Sequence, residues 1–278
     1  MDLVAKEKYE ELKEKLEAYA GAVVAFSGGV DSSLLLAVAK QSLGAKVIAV
    51  TVVSDFLVPA ERQRARMMAR EMEVEHREVF LDLLEVAEVA TNPPDRCFHC
   101  KYAIMSRLLE LARREGHGVV LEGSQLSDSR DYRPGLGAVR SLGIHSPLKE
   151  AGLTKKEIRI ISRELGLSSW DQPAMPCLAT RFPYGSRITS QGIQQVSQGE
   201  AELARFGFAS LRLRHHGPVA RVEVDSSSLA LVLENREEIT KCIKETGFTY
   251  VTLDLAGYRS GSMDEVLDRC LRDEGVES

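Results

Sequence analysis

The chain has no run of the ~20 apolar residues that a membrane span needs, so nothing in it predicts an integral membrane protein. Its first twenty residues, MDLVAKEKYEELKEKLEAYA, are charged and helix-prone and lack the apolar centre of a secretory leader. The expectation is a soluble, cytoplasmic protein. Cysteine is scarce and odd in number: Cys97, Cys100, Cys177, Cys242 and Cys270 are the five. With a reducing compartment, that argues against a disulfide framework. Positive charge is not in excess either. Against 41 Asp and Glu stand 36 Lys and Arg, for a formal net charge of −5. Broad duplex-DNA or membrane-surface binding is disfavoured, though a local basic site is not. Internal repeats and low-complexity segments are absent, which excludes solenoid and tail-like organisation.

What is present is enough sequence for two cores. Of 278 residues, 44% are hydrophobic, and a single core rarely grows past ~250–300 residues. Strand and helix signals alternate in the first part: AVVAFSGG, then DSSLLLAVAKQSL; KVIAVTVVS, then PAERQRARMMAREME; EHREVFLD, then a long helix CKYAIMSRLLELARREG and a strand HGVVLEG. Short runs rich in β-branched residues between helices predict a parallel sheet covered on both faces. After Trp170 the texture changes to a proline-rich loop, QPAMPCLATRFPYGSRI. A helix at 190–206, paired strands LRLRHH and VARVEVD, a helix at 228–246 and a strand YVTLDL follow. The expected architecture is α/β over residues 1–185, with a small C-terminal α+β domain over 186–278.

FSGGVDSS, residues 26–33, joins the first strand to the first helix. Gly28 and Gly29 let backbone N–H groups approach an anion, the helix N-terminus adds positive partial charge, and Ser27 and Ser32 can donate to phosphate oxygens. Asp31 would repel phosphate unless Mg²⁺ lies between, or unless it caps the helix. An ordinary glycine turn explains the two glycines alone but not the full S-G-G-x-D-S at a strand–helix junction. No lysine follows the glycines, so this is not the P-loop of NTPases. The stretch resembles the PP-loop ATP pyrophosphatases. That resemblance implies cleavage of ATP between the α and β phosphates, transfer of AMP to a substrate oxygen, and pyrophosphate held by the 27–32 loop.

Cys177 sits in PCLATRFPYG with Arg181 four residues on, a setting that favours thiolate over a structural core cysteine. From AFSGGVDSS through DYRPGLGAVRSLGIHSPL, PCLATRFPYGSRIT, LRLRHHG and VARVEV to TLDLAGYRSGSM, the chain resembles the ATP-dependent sacrificial sulfur transferase family LarE. The likeness runs from about Tyr9 to Met263. It implies adenylylation of a carboxylate on a pyridinium mononucleotide and replacement of the activated oxygen by sulfur. Two such rounds give the dithiolate precursor of the nickel-pincer nucleotide. In the family's one-cysteine form, the cysteine at the position of Cys177 gives up its own sulfur. A homo-oligomer is also implied.

DRCFHCK, residues 95–101, adds a C-x-x-C that the one-cysteine form does not need. Together with Cys177, Cys97 and Cys100 can hold three irons of a 4Fe–4S cluster, leaving the fourth open to an extra sulfide; the resemblance supports this for three-cysteine members. Zinc on these cysteines and His99, or a metal-free redox pair, are the alternatives. A helix expected to begin at about Cys100 places the pair at a helix N-terminus, which favours thiolate in each case. Cys242 reads as a small buried hydrophobe, and Cys270 carries no role.

Gln125 and Asp128, in the loop after the fourth strand, are candidates to contact ATP or Mg²⁺. Asp131 and Arg133 either join them or order the loop. Ser54, at the tip of the second strand, is a backbone contact for adenine by likeness to the superfamily. Arg181 joins the nucleotide-site residues. Arg212 and Arg214 alternate along one strand and so share a face, which suits a substrate phosphate or a solvated edge. Glu200, on the preceding helix, matches an acidic position of the family, either a metal contact or a plain surface residue. A tRNA thiolase of the same superfamily, and a non-catalytic nucleotide-gated iron–sulfur or zinc sensor, are the rival functions.

Overall fold

A computed structural model describes residues 3–130, 133–173, 177–259 and 261–266; Asp131, Pro176 and Cys270 lie outside the described residues. The first half runs α1 (Leu3–Glu17), β1 (Ala22–Ala25), α2 (Val30–Leu43), β2 (Val47–Val53), α3 (Pro59–Glu71), β3 (Glu75–Phe80), α4 (Ala87–Ala90), α5 (Arg96–Arg114), β4 (Val119–Leu121), α6 (Gly135–Ser141), α7 (Pro147–Glu150) and α8 (Lys155–Glu164). The remainder comprises α9 (Ser190–Ala204), β5 (Leu211–His216), β6 (Val219–Val224), α10 (Leu229–Glu234), α11 (Arg236–Glu245) and β7 (Tyr250–Leu253). Among the described residues no helix is long and apolar enough to cross a membrane.

The described residues divide into two compact units, one of 3–83 and 95–173, the other of 84–94 and 177–266. The first is an α/β layer structure, with sheet order β3-β2-β1-β4 and every pairing parallel. Alternation along β1 sends Ala22 and Val24 to a core with Leu12 and Leu16 of α1, Leu34, Leu35 and Val38 of α2, and Ile158 and Ile161 of α8. Val23 faces the other core, with Met105 and Leu108 of α5 and Val139 of α6. Both faces of β1 are therefore dry, as its unbroken apolar sequence requires.

Strand order reverses between β1 and β4. In open α/β sheets the crevice at the carboxyl ends of such a pair is where ligands bind. Two glycines shape it. Gly28 has φ +73°, and a Cβ there would stand 3.1 Å from the backbone of Ala65 in α3. Gly123 follows β4, and a Cβ there would meet the Ser32 backbone nitrogen at 3.1 Å. A side chain at either position would push these segments apart by a few tenths of an ångström, and at Gly28 it would also strain a left-handed backbone.

The second unit carries the three-stranded sheet β5-β6-β7, with β5 and β6 antiparallel and β6 and β7 parallel. The helix expected over 228–246 is two helices broken at Asn235. The Asn235 side chain donates to the Leu231 carbonyl at 2.8 Å, competing with the backbone for an acceptor. The helix expected to begin near Cys100 begins at Arg96 instead. Asp95 stands at its N-cap and Arg96 is buried, so a segment that looks polar is drawn into the fold.

Gly28→Ala meets both a left-handed backbone and an occupied space. It is expected to destabilise the protein by about 1–3 kcal/mol in urea denaturation, and to loosen the 27–32 loop.

Candidate active site

The carboxyl ends of β1, β2 and β4 open onto a cavity of about 360 Å³, within the size range of nucleotide and cofactor sites. Ser27, Gly29, Asp31 and Ser32 line it from the first strand–helix junction, Thr51 and Val52 from β2, and Glu122, Gly123 and Ser124 from the end of β4. Ser27 Oγ and Ser32 Oγ lie 3.1 Å apart. The Gly29 N–H donates to Ser27 Oγ at 3.3 Å, and Ser32 Oγ lies 3.1 Å from the Gly29 carbonyl that accepts from it. The loop's donors turn on one another; an anion at the N-terminus of α2 would give them a better acceptor.

Asp31 stands in the first turn of α2. Its Oδ2 accepts from Lys155 Nζ at 2.6 Å. Its Oδ1 is buried with no hydrogen-bond partner. Burial pushes the carboxyl up from its usual value against the pull of Lys155, with Asp128 adding to the rise. A buried carboxylate oxygen without a donor, beside a phosphate-sized loop, fits a hard divalent cation such as Mg²⁺.

The other residues expected in this unit take distinct places. Asp128 lines the cavity, yet it accepts from the Gln125 N–H at 3.0 Å, from Gln125 Nε2 at 3.0 Å, and from Arg133 at 2.9 Å. Gln125 in turn accepts from the Ser127 N–H at 2.7 Å. The pair orders the loop after β4, whatever else it touches. Ser54 is half-buried past the end of β2, its carbonyl accepting from the Leu57 N–H at 3.1 Å. Thr51 Oγ1 donates to the Phe26 carbonyl at 2.7 Å and lies 2.8 Å from His76 Nε2. Since the Thr51 proton is committed to Phe26, His76 is the donor in that contact.

Cys97 and Cys100 lie near the start of α5, exposed and half-buried respectively. Lys101, Ile104, Met105 and Leu108 form the helix face that walls the cavity. Cys97 and Cys100 precede Lys101 and Ile104 by four residues and extend that stripe to the helix start. Arg96 Nη2 donates to Cys97 Sγ at 3.7 Å.

In the second unit, the Cys177 side chain is exposed while its backbone is pinned. The Cys177 carbonyl accepts from the Thr180 N–H at 3.0 Å, from Thr180 Oγ1 at 2.8 Å and from Arg181 Nη1 at 3.2 Å. Arg181 is buried and forks onto both Glu200 oxygens at 2.9 Å. Glu200 also accepts from the Leu213 N–H of β5 at 3.0 Å. Arg214 is buried against Glu223, with contacts of 2.9 and 2.7 Å, and donates to the Thr180 carbonyl at 3.0 Å. Arg212 is half-buried, stacks over Tyr258 at 5.2 Å and donates to the Leu211 carbonyl at 2.6 Å. Burial, then the nearby charge of Arg181, hold its guanidinium below its ordinary value. Arg212 makes no ion pair among the described residues, unlike Arg181 and Arg214. Cys242 is half-buried, where full burial was expected, and contacts the Ile239 carbonyl at 3.3 Å.

Sequence reasoning assigned no role to Lys101, Glu122 or Lys155. Lys101 closes the DRCFHCK heptapeptide, and Glu122 opens the segment after β4, but nothing local pairs them. Glu122 is 3% exposed. It accepts from Lys101 Nζ at 2.6 Å, from the Ser124 N–H at 3.1 Å, from Ser124 Oγ at 2.8 Å and from Ser146 Oγ. Burial alone would raise its carboxyl; the Lys101 charge and the hydrogen bonds outweigh this and hold it below the usual carboxylate range.

This fold and loop define a nucleotide-binding α/β domain of the PP-loop ATP pyrophosphatase class, and residues 9–125 match the asparagine synthase family model. The chain is 37% identical over 247 residues to pyridinium-3,5-bisthiocarboxylic acid mononucleotide synthase of Lactiplantibacillus plantarum, covering 88% of this chain and 90% of that protein. It belongs to that synthase's family, the LarE family. An uncharacterized protein of Synechocystis is 38% identical over 264 residues, 94% of this chain and 98% of its own. A glutamine-hydrolysing GMP synthase polypeptide of Thermoplasma acidophilum is 30% identical over 188 residues, 62% of this chain and 59% of its own.

Two measurements test the roles drawn here. Arg214→Met removes both contacts to one oxygen of buried Glu223 and leaves Arg221 on the other at 2.9 Å, and is expected to cost about 1–3 kcal/mol of stability; an unchanged denaturation midpoint would detach Arg214 from this structural role. Because Glu122 is depressed, its contribution is present above the ordinary glutamate range and is lost as pH falls through and below it. The melting temperature of the wild type should therefore drop more steeply below about pH 5 than that of Glu122→Gln.

Proposed function

We propose that this chain is an ATP-dependent sulfur transferase that converts carboxylates of a pyridinium mononucleotide to thiocarboxylates, releasing AMP and pyrophosphate. The observation that carries the reading is one sheet edge, in a chain of this family, where a phosphate-sized loop, an unpartnered Asp31 oxygen and the cysteine-bearing helix face meet. A substrate carboxylate oxygen attacks the α-phosphorus of ATP, and pyrophosphate leaves into the Ser27, Gly28, Gly29 and Ser32 cradle. Backbone N–H groups and the α2 N-terminus stabilise the charge that builds on it. Asp31 would hold Mg²⁺, which neutralises polyphosphate charge when bound. Sulfur then bonds to the acyl carbon, and AMP departs with the original oxygen. Arg212 is the residue we assign to the substrate phosphate. Arg214 and Glu200 support it from behind: Arg214 fixes the Thr180 carbonyl and Glu200 fixes Arg181.

For the sulfur source we propose Cys97, Cys100 and Cys177 as ligands of a 4Fe–4S cluster. The donor set fits in kind. All three are reduced thiols, two share a helix face, and the third is exposed on an anchored backbone. Among the described residues no group of three His, Cys, Asp or Glu stands ready-made for a metal ion, and Cys177 belongs to the other unit. The cluster would supply one open iron at which a further sulfide can be held. The cysteines' part is to donate thiolate and to remain intact through turnover. A cytoplasmic location agrees with this oxygen-sensitive chemistry.

Anaerobically reconstituted wild type is expected to contain about four irons and four acid-labile sulfides, both lost in Cys97→Ala. Zinc in place of iron would make the C-x-x-C a structural site. Metal-free protein that loses the mass of one H₂S after turnover would make Cys177 the consumed donor. Pyrophosphate release that does not depend on the pyridinium substrate would overturn the transferase reading itself.

A further inference from the structure

Three carboxylates stand at the nucleotide cavity, each with its own cation: Asp31 with Lys155, Asp128 with Arg133, and Glu122 with Lys101. The third pair is built differently. Glu122 is nearly sealed from solvent, and each of its oxygens already accepts from an uncharged donor. Oε1 has the Ser124 N–H and Ser146 Oγ, and Oε2 has Ser124 Oγ. Its hydrogen bonds do not depend on the ammonium, which supplies the opposite charge. Lys101, in contrast, keeps 27% of its side chain exposed and lines the same cavity as Ser27, Gly29 and Ser32. An ammonium has three N–H donors, and the contact to Glu122 uses one. The lysine also rides on a helix of 19 residues, directly after Cys100 and one turn after Cys97. A Cβ on Gly135 of α6 would come within 3.3 Å of the Lys101 side chain and 3.4 Å of the Cys97 carbonyl, so this turn of α5 is packed closely against its neighbour.

We propose that Lys101 is a phosphate-binding positioning residue for the adenylylation step. Glu122 anchors one side of its ammonium, the remaining N–H groups meet the ATP polyphosphate, and the same contact sets the Cys97–Cys100 turn against bound nucleotide. The proposal rests on the ATP site described above and deepens it. Lys101 is a fixed point charge that arrives with the cysteine helix rather than with the phosphate loop, so nucleotide and sulfur-handling residues share one rigid element. The carboxylate is not a ligand. Its role is to hold the ammonium still, so that little side-chain freedom is lost when ATP binds.

The test is calorimetric binding of ATP and of adenosine, with Mg²⁺, to wild type, Lys101→Met and the double variant Lys101→Met with Glu122→Gln. The double variant removes the orphaned buried charge and guards against a folding defect. Losing a charge-assisted contact should weaken ATP on the order of 10–100-fold in both variants, with adenosine binding unchanged. Alkylation of Cys97 and Cys100 by iodoacetamide gives the second readout. ATP should change its rate in wild type and not in Lys101→Met, while adenosine changes it in neither. ATP binding equal to wild type in a folded Lys101→Met protein overturns the proposal. So does an equal loss for adenosine, which would mean collapse of the cavity rather than a missing phosphate contact. Wild type that binds no ATP would instead remove the nucleotide reading on which the proposal stands.

Discussion

Burial of β1 on both faces is the constraint on which the first unit depends. A strand flanked by two parallel neighbours and covered above and below has only one place to present chemistry, its carboxyl end. Ser27 and the glycines that follow are the first residues past that point. α2 aims its N-terminus there, and β4 delivers Glu122 and Ser124 beside it. The close backbone approaches at Gly28 and Gly123 then bring α3 and the post-β4 loop against the same turn. The cavity is a product of the strand order, and its charge pattern follows from which residues stand at the ends of those strands.

The second unit is organised by buried arginines. Arg181 and Arg214 are each locked onto a carboxylate, Glu200 and Glu223, and each spends a remaining N–H on a backbone carbonyl of the 177–180 segment. Replacing such pairs by apolar residues can be neutral for stability, whereas breaking one partner is strongly destabilising. Their presence makes sense as geometry: they fix the backbone of the 177–180 segment. Arg212, on the same strand as Arg214, has no carboxylate of its own among the described residues and faces an aromatic ring instead.

Much of this was legible in the chain. The β-branched runs of β1 and β2, the S-G-G-x-D-S turn and the change of rhythm after Trp170 are local signals, and local signals survive translation into structure. What was not legible depends on partners far away in sequence. The spacing of Arg212 and Arg214 showed a shared face, but only Glu223 on the adjacent strand decides that Arg214 is buried. Glu122 draws on Ser146 and Lys101, each more than twenty positions away, and no window along the chain contains all three. The start of α5 was misjudged because Arg96 looks like a solvent residue and is in fact packed away. Asn235 broke a helix through its own side chain, a competition that apolar periodicity does not register.

The anchoring of Cys177 has a consequence for how that position is inherited and engineered. Three of the contacts that hold it grip its carbonyl oxygen, which belongs to the main chain and is the same for any amino acid. The side chain can thus change without loss of these three contacts. Serine, alanine, selenocysteine or a desulfurised remnant would each sit on the same backbone. Under the proposed function, whether that sulfur is consumed or lent as a ligand makes no demand on these three contacts.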